Sequence, residues 1–173
     1  VLARFAITAW TMHADVILRL TGDTPLTAPD VAEQALAAFH AQGVDYQGVD
    51  YLGTTRPALA VPDGMDVEIM TRAALETAHR EATDPEDREH VTRYIWQRPE
   101  RFRLGQYPEG AVERPYIVAE FPSLVQWHDW ALGLKLSVDT AEDLQRVRAI
   151  MARIPLWDFS MGATLKACKA LGL

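Results

Sequence analysis

Apolar residues along the chain follow two spacings in turn, and the switches between them set out the elements. Leu2, Phe5, Ala6 and Ala9 recur at i, i+3, i+4 and i+7, the period of an amphipathic helix, so the opening segment is predicted helical. Residues 15–20 change to a short β-branched run suited to a buried parallel strand. A turn-rich loop over 21–26 follows. Thr27 then opens a helix that stops at Gly43, with Thr27 and Asp30 at capping-box spacing and Pro29 in the first turn. Val31, Ala35, Ala38 and Phe39 form its buried stripe.

The rest of the chain keeps the same grammar. Residues 44–52 are a weaker strand candidate, and 53–64 a loop rich in Gly, Thr and Pro. Over 65–70 the residues alternate, with Asp66 and Glu68 on one face and Val67 and Ile69 on the other, which predicts a strand. Helices are predicted from Thr71 to about Ala82 and from Asp84 to just before Pro99, the latter burying Val91, Tyr94 and Ile95. Residues 101–133 give no clear period. Residues 134–138 form the last expected strand, and Asp139-Thr140 hands over to a helix through Ile154, with Thr140 and Asp143 as its cap pair. A short helix over about 160–171 closes the chain.

Alternating strands and helices predict an α/β layered fold with a parallel or mixed sheet, in which ligands bind at the carboxyl ends of strands. Two such ends stand out, Leu20-Thr21-Gly22-Asp23 and Val138-Asp139-Thr140. Carboxylates converging at one sheet edge supply the hard oxygen donors that Mg²⁺ or Mn²⁺ takes, with nucleotide phosphates filling the octahedron. The plainer alternative is that each Asp only caps a helix.

Composition narrows the classes. The chain has 173 residues, 17 Lys plus Arg against 24 Asp plus Glu, and a formal charge of −7, which argues against a nucleic-acid binder. Cys168 is the single cysteine, so neither an internal disulfide nor a Cys-based zinc site is expected. A reducing, cytoplasmic setting follows as the expectation. No run is apolar enough to span a membrane. The first fourteen residues lack a basic leader and a small-residue cleavage site, so no signal peptide is expected, although the chain begins with Val1 rather than Met.

Four segments, in order, carry a resemblance. They are residues 14–26 (Ala-Asp-Val-Ile-Leu-Arg-Leu-Thr-Gly-Asp-Thr-Pro-Leu), 62–68 (Pro-Asp-Gly-Met-Asp-Val-Glu), 87–92 (Asp-Arg-Glu-His-Val-Thr) and 134–144 (Leu-Lys-Leu-Ser-Val-Asp-Thr-Ala-Glu-Asp-Leu). Together they resemble the cytidylyltransferase family that activates acidic sugars, especially its branch named for spore coat polysaccharide biosynthesis protein F.

The resemblance implies a nucleotide-diphosphosugar transferase-like (Rossmann-like) three-layer sandwich with a mostly parallel sheet, over residues 1–154, followed by a helical extension over 155–173. It implies transfer of CMP from CTP to a sugar hydroxyl with release of pyrophosphate, for surface polysaccharide biosynthesis. Asp23 and Asp139 match the family's magnesium-holding carboxylates. Thr21, Gly22, Asp63, Asp66, Glu68, Arg88, His90 and Lys135 match positions near the substrates. Phosphoryl transfer asks for positioning and charge neutralisation more than covalent help, which suits such a set. CTP and a small sugar are the expected partners, in a homo-oligomer, with no nucleic acid and no membrane.

One departure bears on activity. Family members begin with a strand and a Gly-rich basic loop that cradles the triphosphate, and no counterpart precedes Asp23. The sequence therefore reads as N-terminally truncated by ~60 residues, about two βα units. That leaves two alternatives: a catalytically incomplete remnant acting as an assembly module, or a metal-dependent glycosyltransferase using a ready-made nucleotide sugar.

Other residues have ordinary readings beside these. Asp66 and Glu68 could form a solvated strand face, and His90 could be a helix histidine. The basic residues Arg98, Arg101 and Arg103 are expected on a solvated face, Trp127 and Trp130 in packing, and Cys168 inert.

Overall fold

A computed structural model of the chain describes residues 1–42, 48–54, 61–105 and 128–173. The expected helix at the start is α1, Leu2–Thr11, with Leu2, Ala6 and Ala9 buried. Strand β1, Val16–Arg19, follows it, and helix α2, Pro29–Ala41, buries Val31, Ala35 and Phe39 at i, i+4 and i+8. Strands β2, Tyr51–Gly53, and β3, Glu68–Thr71, complete the described sheet. Then come α3, Arg72–Glu81; α4, Pro85–Glu89; α5, Arg93–Trp96; α6, His128–Leu132; α7, Ala141–Met151; and α8, Met161–Ala170. The Trp127 expectation lies outside the described residues.

The sheet order is β1-β3-β2, and both pairings are antiparallel. The mostly parallel sheet expected from the sequence is thus not what the described strands form. The reason is topological. The β1–α2–β2 crossover returns β2 parallel to β1 but one strand's width away, and β3 fills the slot in the reverse direction. Among the described residues parallel pairing is limited to two isolated bridges, Tyr51 with Leu104 and Asp63 with Lys135.

Strand alternation distributes side chains to two cores. Leu52 and Ile69 point into a cluster with Val31 and Phe39 of α2, Val147 and Ile150 of α7, and Leu165 of α8. Their neighbours Tyr51 and Met70 point the other way, to Leu2 and Ala6 of α1, Leu75 of α3 and Ile95 of α5. Helices therefore cover both faces of the sheet, giving the three-layer α/β sandwich. Each large side chain so buried contributes on the order of 1.5–3 kcal/mol. The terminal helix α8 belongs to the first core through Met161, Leu165 and Cys168.

Local signals explain several boundaries. Thr140 accepts from the Asp143 N–H while Asp143 reaches back to the cap backbone, the reciprocal box that the sequence predicts. The same pattern at Thr27 and Asp30 does not form a box. Ala28 takes the cap position, Thr27 donates to the Thr24 carbonyl at 2.8 Å, and Asp30 accepts the Met161 N–H of α8 at 3.1 Å. Burial raises the Asp30 carboxyl pKa, opposed by the backbone N–H groups of Met161, Val31 and Asp30 itself. Residues 134–138, expected as a strand, form none: they carry the single bridge at Lys135 and bend at Ser137. Among the described residues no helix is long and apolar enough to cross a membrane.

Candidate active site

The segment leaving β1 turns tightly at Thr21–Thr24, where the Thr24 hydroxyl donates to the Thr21 carbonyl at 2.9 Å. This turn holds Asp23, and the Asp23 carbonyl accepts the Val138 N–H at 2.8 Å. The two acidic loops, 116 positions apart in the chain (139 minus 23), are thereby stitched together. Asp139 follows directly, just before the box-capped α7. Because Thr140 and Asp143 do the capping, the Asp139 carboxylate is not engaged by the helix end. It meets Lys135 Nζ at 2.7 Å, and Lys135 also reaches Asp143 at 2.8 Å.

Asp143 is buried and accepts from Lys135, from the backbone of Asp139 and Thr140, and from Arg146. Lys135 first, then the backbone donors, hold its carboxyl well below the usual carboxylate range. Asp139 and Asp143 in turn raise the Lys135 ammonium.

A second loop docks onto the same segment. Leu136 donates its N–H to the Asp63 carbonyl at 2.7 Å, and Ser137 Oγ lies 3.2 Å from Asp63 Oδ2. Gly64 makes this approach possible. Its φ is +95°, and a Cβ there would sit 2.3 Å from Ser137 N and 2.4 Å from the Leu136 carbonyl carbon. Asp66 closes the turn by accepting the Gly64 N–H at 3.0 Å.

The third component is a polar floor. Glu68 is buried and ion-paired with Arg19 across the β1–β3 register. It also accepts from the Tyr51 hydroxyl at 2.9 Å and from Thr92 Oγ1 at 2.5 Å. Desolvation first, and the adjacent carboxylate second, push the Tyr51 phenol far above its ordinary value. Thr92 is delivered by an uncommon turn. The buried, β-branched Val91 has φ +52°, and Thr92 N–H donates to the His90 carbonyl at 2.5 Å. A β-branched residue in this left-handed region costs on the order of 1–3 kcal/mol, a constraint the packing around Val91 imposes.

These parts enclose a cavity of about 520 Å³. Of the residues expected at the site, Thr21, Asp23, Asp63, Asp66, Glu68, His90 and Asp139 line it, and Gly22, Arg88 and Lys135 do not. A Cβ on Gly22 would meet nothing within 4 Å. Arg88 donates to the Ala82 and His79 carbonyls at the end of α3, at 2.9 and 3.3 Å. His90 lines the cavity with its Nε2 3.3 Å from Glu86 Oε2.

Sequence reading missed Arg19, Thr92 and Trp96, which also line it. A charged residue among the apolar ones of β1 was the available signal for Arg19; its partner Glu68 lies 49 residues away. The three basic residues Arg98, Arg101 and Arg103 make contacts within the protein. Arg98 stacks 3.8 Å from the Tyr94 ring centroid, Arg101 pairs with Glu81 at 2.6 Å, and Arg103 with Asp50 at 3.4 Å. Trp130 donates to the terminal Leu173 carbonyl at 2.8 Å. Burial drives the Cys168 thiol up to about 11, which lowers its thiolate fraction.

Known proteins resemble this chain over most of its length. The chain is 31% identical over 149 residues to an uncharacterized protein of Methanocaldococcus jannaschii, covering 84% of this chain and 49% of that one. It is 29% identical over 151 residues to the spore coat polysaccharide biosynthesis protein SpsF of Bacillus subtilis, covering 87% and 52%. The chain thus spans about half the length of these curated relatives. A cytidylyltransferase structure from Leptospira borgpetersenii superposes with a TM-score of 0.77 at 23% identity, over 99% of this chain and 63% of that one, a likeness of fold. Residues 1–152 match the family described as Cytidylyltransferase, and the chain belongs to that family.

Proposed function

We propose that the protein carrying this chain transfers CMP from CTP to a sugar hydroxyl, releasing pyrophosphate, in polysaccharide biosynthesis. The observation that carries the reading is the shared cavity, in which Asp23 and Asp139 from two separate loops meet the Asp63–Asp66 loop in a cytidylyltransferase-family chain. In the reaction the acceptor oxygen bonds to the α-phosphorus and the bond from that phosphorus to the bridging oxygen breaks. Pyrophosphate departs with the bonding electrons, and the acceptor hydroxyl gives up its proton.

A cavity rich in carboxylates repels a triphosphate unless a cation stands between them. The donor set fits a hard divalent ion such as Mg²⁺ or Mn²⁺, with Asp23 and Asp139 as the residues that would hold it. Among the described residues no three acidic or histidine side chains gather tightly enough to enclose a metal alone. Magnesium at nucleotide sites is commonly held by one or two carboxylates together with substrate phosphates. When bound, the ion supplies charge neutralisation at the phosphates. Lys135 keeps Asp139 oriented, and the Glu68 floor fixes Arg19 and Thr92 at the cavity wall.

The test is product analysis with the intact protein, CTP and Mg²⁺. Expected are pyrophosphate and a CMP-linked sugar, both reduced at least about 100-fold by Asp23→Asn. Release of a nucleoside diphosphate from a nucleotide sugar would replace this reading with glycosyl transfer.

A further inference from the structure

Lys135 bears on how a cation reaches Asp139, an inference that rests on the reading of Asp139 as a holder of the nucleotide's cation. Its ammonium meets two carboxylates at nearly equal distance, Asp139 Oδ2 at 2.7 Å and Asp143 Oδ2 at 2.8 Å. The two partners differ in setting. Asp143 is buried, belongs to the α7 capping box, and accepts from the backbone of Asp139 and Thr140 and from Arg146. Asp139 is 59% exposed and lines the cavity.

The backbone beneath the lysine is fixed as well. Lys135 bridges to Asp63, and the next N–H, that of Leu136, donates to the Asp63 carbonyl at 2.7 Å. Lys135 therefore has one immobile partner and one accessible partner. Exposed ion pairs are usually weak because ordering two side chains costs entropy. Asp143 already holds this ammonium, so its bond to Asp139 adds little of that cost. The arrangement also tolerates exchange. Lys135 stays paired through Asp143 when it gives up Asp139, and Asp143 keeps Arg146 and its backbone donors when the lysine is removed.

A positive charge seated on Asp139 opposes a second cation there, by engaging the carboxylate and by like-charge repulsion. A free divalent ion meets that opposition unaided. A cation bound to a triphosphate carries compensating negative charge with it. We propose that Lys135 is an exchangeable counter-ion, which neutralises Asp139 before nucleotide binds and yields it, while keeping Asp143, to a cation that arrives on nucleotide phosphates. The site thereby favours the cation–nucleotide complex over the free ion.

The experiment titrates Mn²⁺ into the intact protein without nucleotide and reads bound ion by electron paramagnetic resonance. Lys135→Gln is expected to bind Mn²⁺ about tenfold more tightly than wild type, a gain that shrinks as salt is raised. Lys135→Met is the second neutral variant should Gln disturb the fold, and melting temperatures check both. The gain should vanish when Asp139→Asn is added. Lys135→Arg, which keeps the charge, should stay within about twofold of wild type. Affinity in the neutral variants equal to or below that of wild type, undetectable binding in all of them included, would overturn the counter-ion role. So would a gain that survives Asp139→Asn, or one shared by Lys135→Arg. Wild-type affinity for Mn²⁺ together with CTP in Asp139→Asn alone would instead overturn the reading that Asp139 holds the cation, and the counter-ion role with it.

Discussion

Tyr51 and Glu68 meet diagonally across the β2–β3 pair, the phenol donating to Glu68 Oε1 at 2.9 Å beneath the cavity floor. Tyr51 opposes Met70, so Glu68 is the same-face neighbour two residues along. A buried carboxylate is tolerated only when donors surround it, and Tyr51, Thr92 and Arg19 are those donors. Tyr51→Phe keeps the ring and removes one of them. Expected is a loss of about 1.5–3 kcal/mol in urea unfolding, the cost of weakening a hydrogen bond to a charged group. An unchanged midpoint would show that Glu68 does not depend on the phenol.

Two glycines near the site differ in what they require. Gly64→Ala would bring its Cβ within 2.4 Å of backbone atoms of Leu136 and Ser137 at a φ of +95°. The expected cost is about 2 kcal/mol or more, with weakened nucleotide binding as the 134–138 segment shifts from the Asp63 loop. Gly22→Ala meets open space and should stay within about 0.5 kcal/mol of wild type. Thermal and urea unfolding of both variants check the contrast, and equal effects would contradict it.

Acid stability has an identifiable contributor away from the cavity. Arg101, then Tyr94 and Arg80, hold the Glu81 carboxyl at about 2, below its ordinary 4.5. A carboxyl lowered in the folded state stabilises fully above its unfolded value, and that stability is lost as pH falls through the window between the two. The melting temperature of wild type should therefore fall between about pH 6 and about pH 3 more than that of Glu81→Gln. Parallel pH dependences in the two proteins would rule the contribution out.

How much of this was readable from the sequence varies by element. Helices α1, α2 and α7 and strand β1 carry their apolar period or β-branched run in consecutive residues, and local spacing suffices for them. The acidic loops were readable for the same reason, each Asp following an apolar run. The Thr27–Asp30 pair misled because Asp30 bonds to Met161, 131 residues away, and no local pattern encodes that choice. The antiparallel setting of β3, and with it the Arg19–Glu68 pair, depends on which strand fills the slot between β1 and β2. Asp66 and Glu68 looked equivalent by alternation, yet Glu68 is buried in the floor and Asp66 stays partly exposed in the wall. Gly64, not Gly22, proved the glycine whose missing Cβ matters.

Calorimetric titration of Mg-CTP into the intact protein, wild type against Asp23→Asn with Asp139→Asn, tests the shared acidic pair most directly. Saturable heat in wild type that disappears in a folded double variant is the expected result. Equal affinity in both proteins would mean that these two aspartates do not hold the nucleotide's cation.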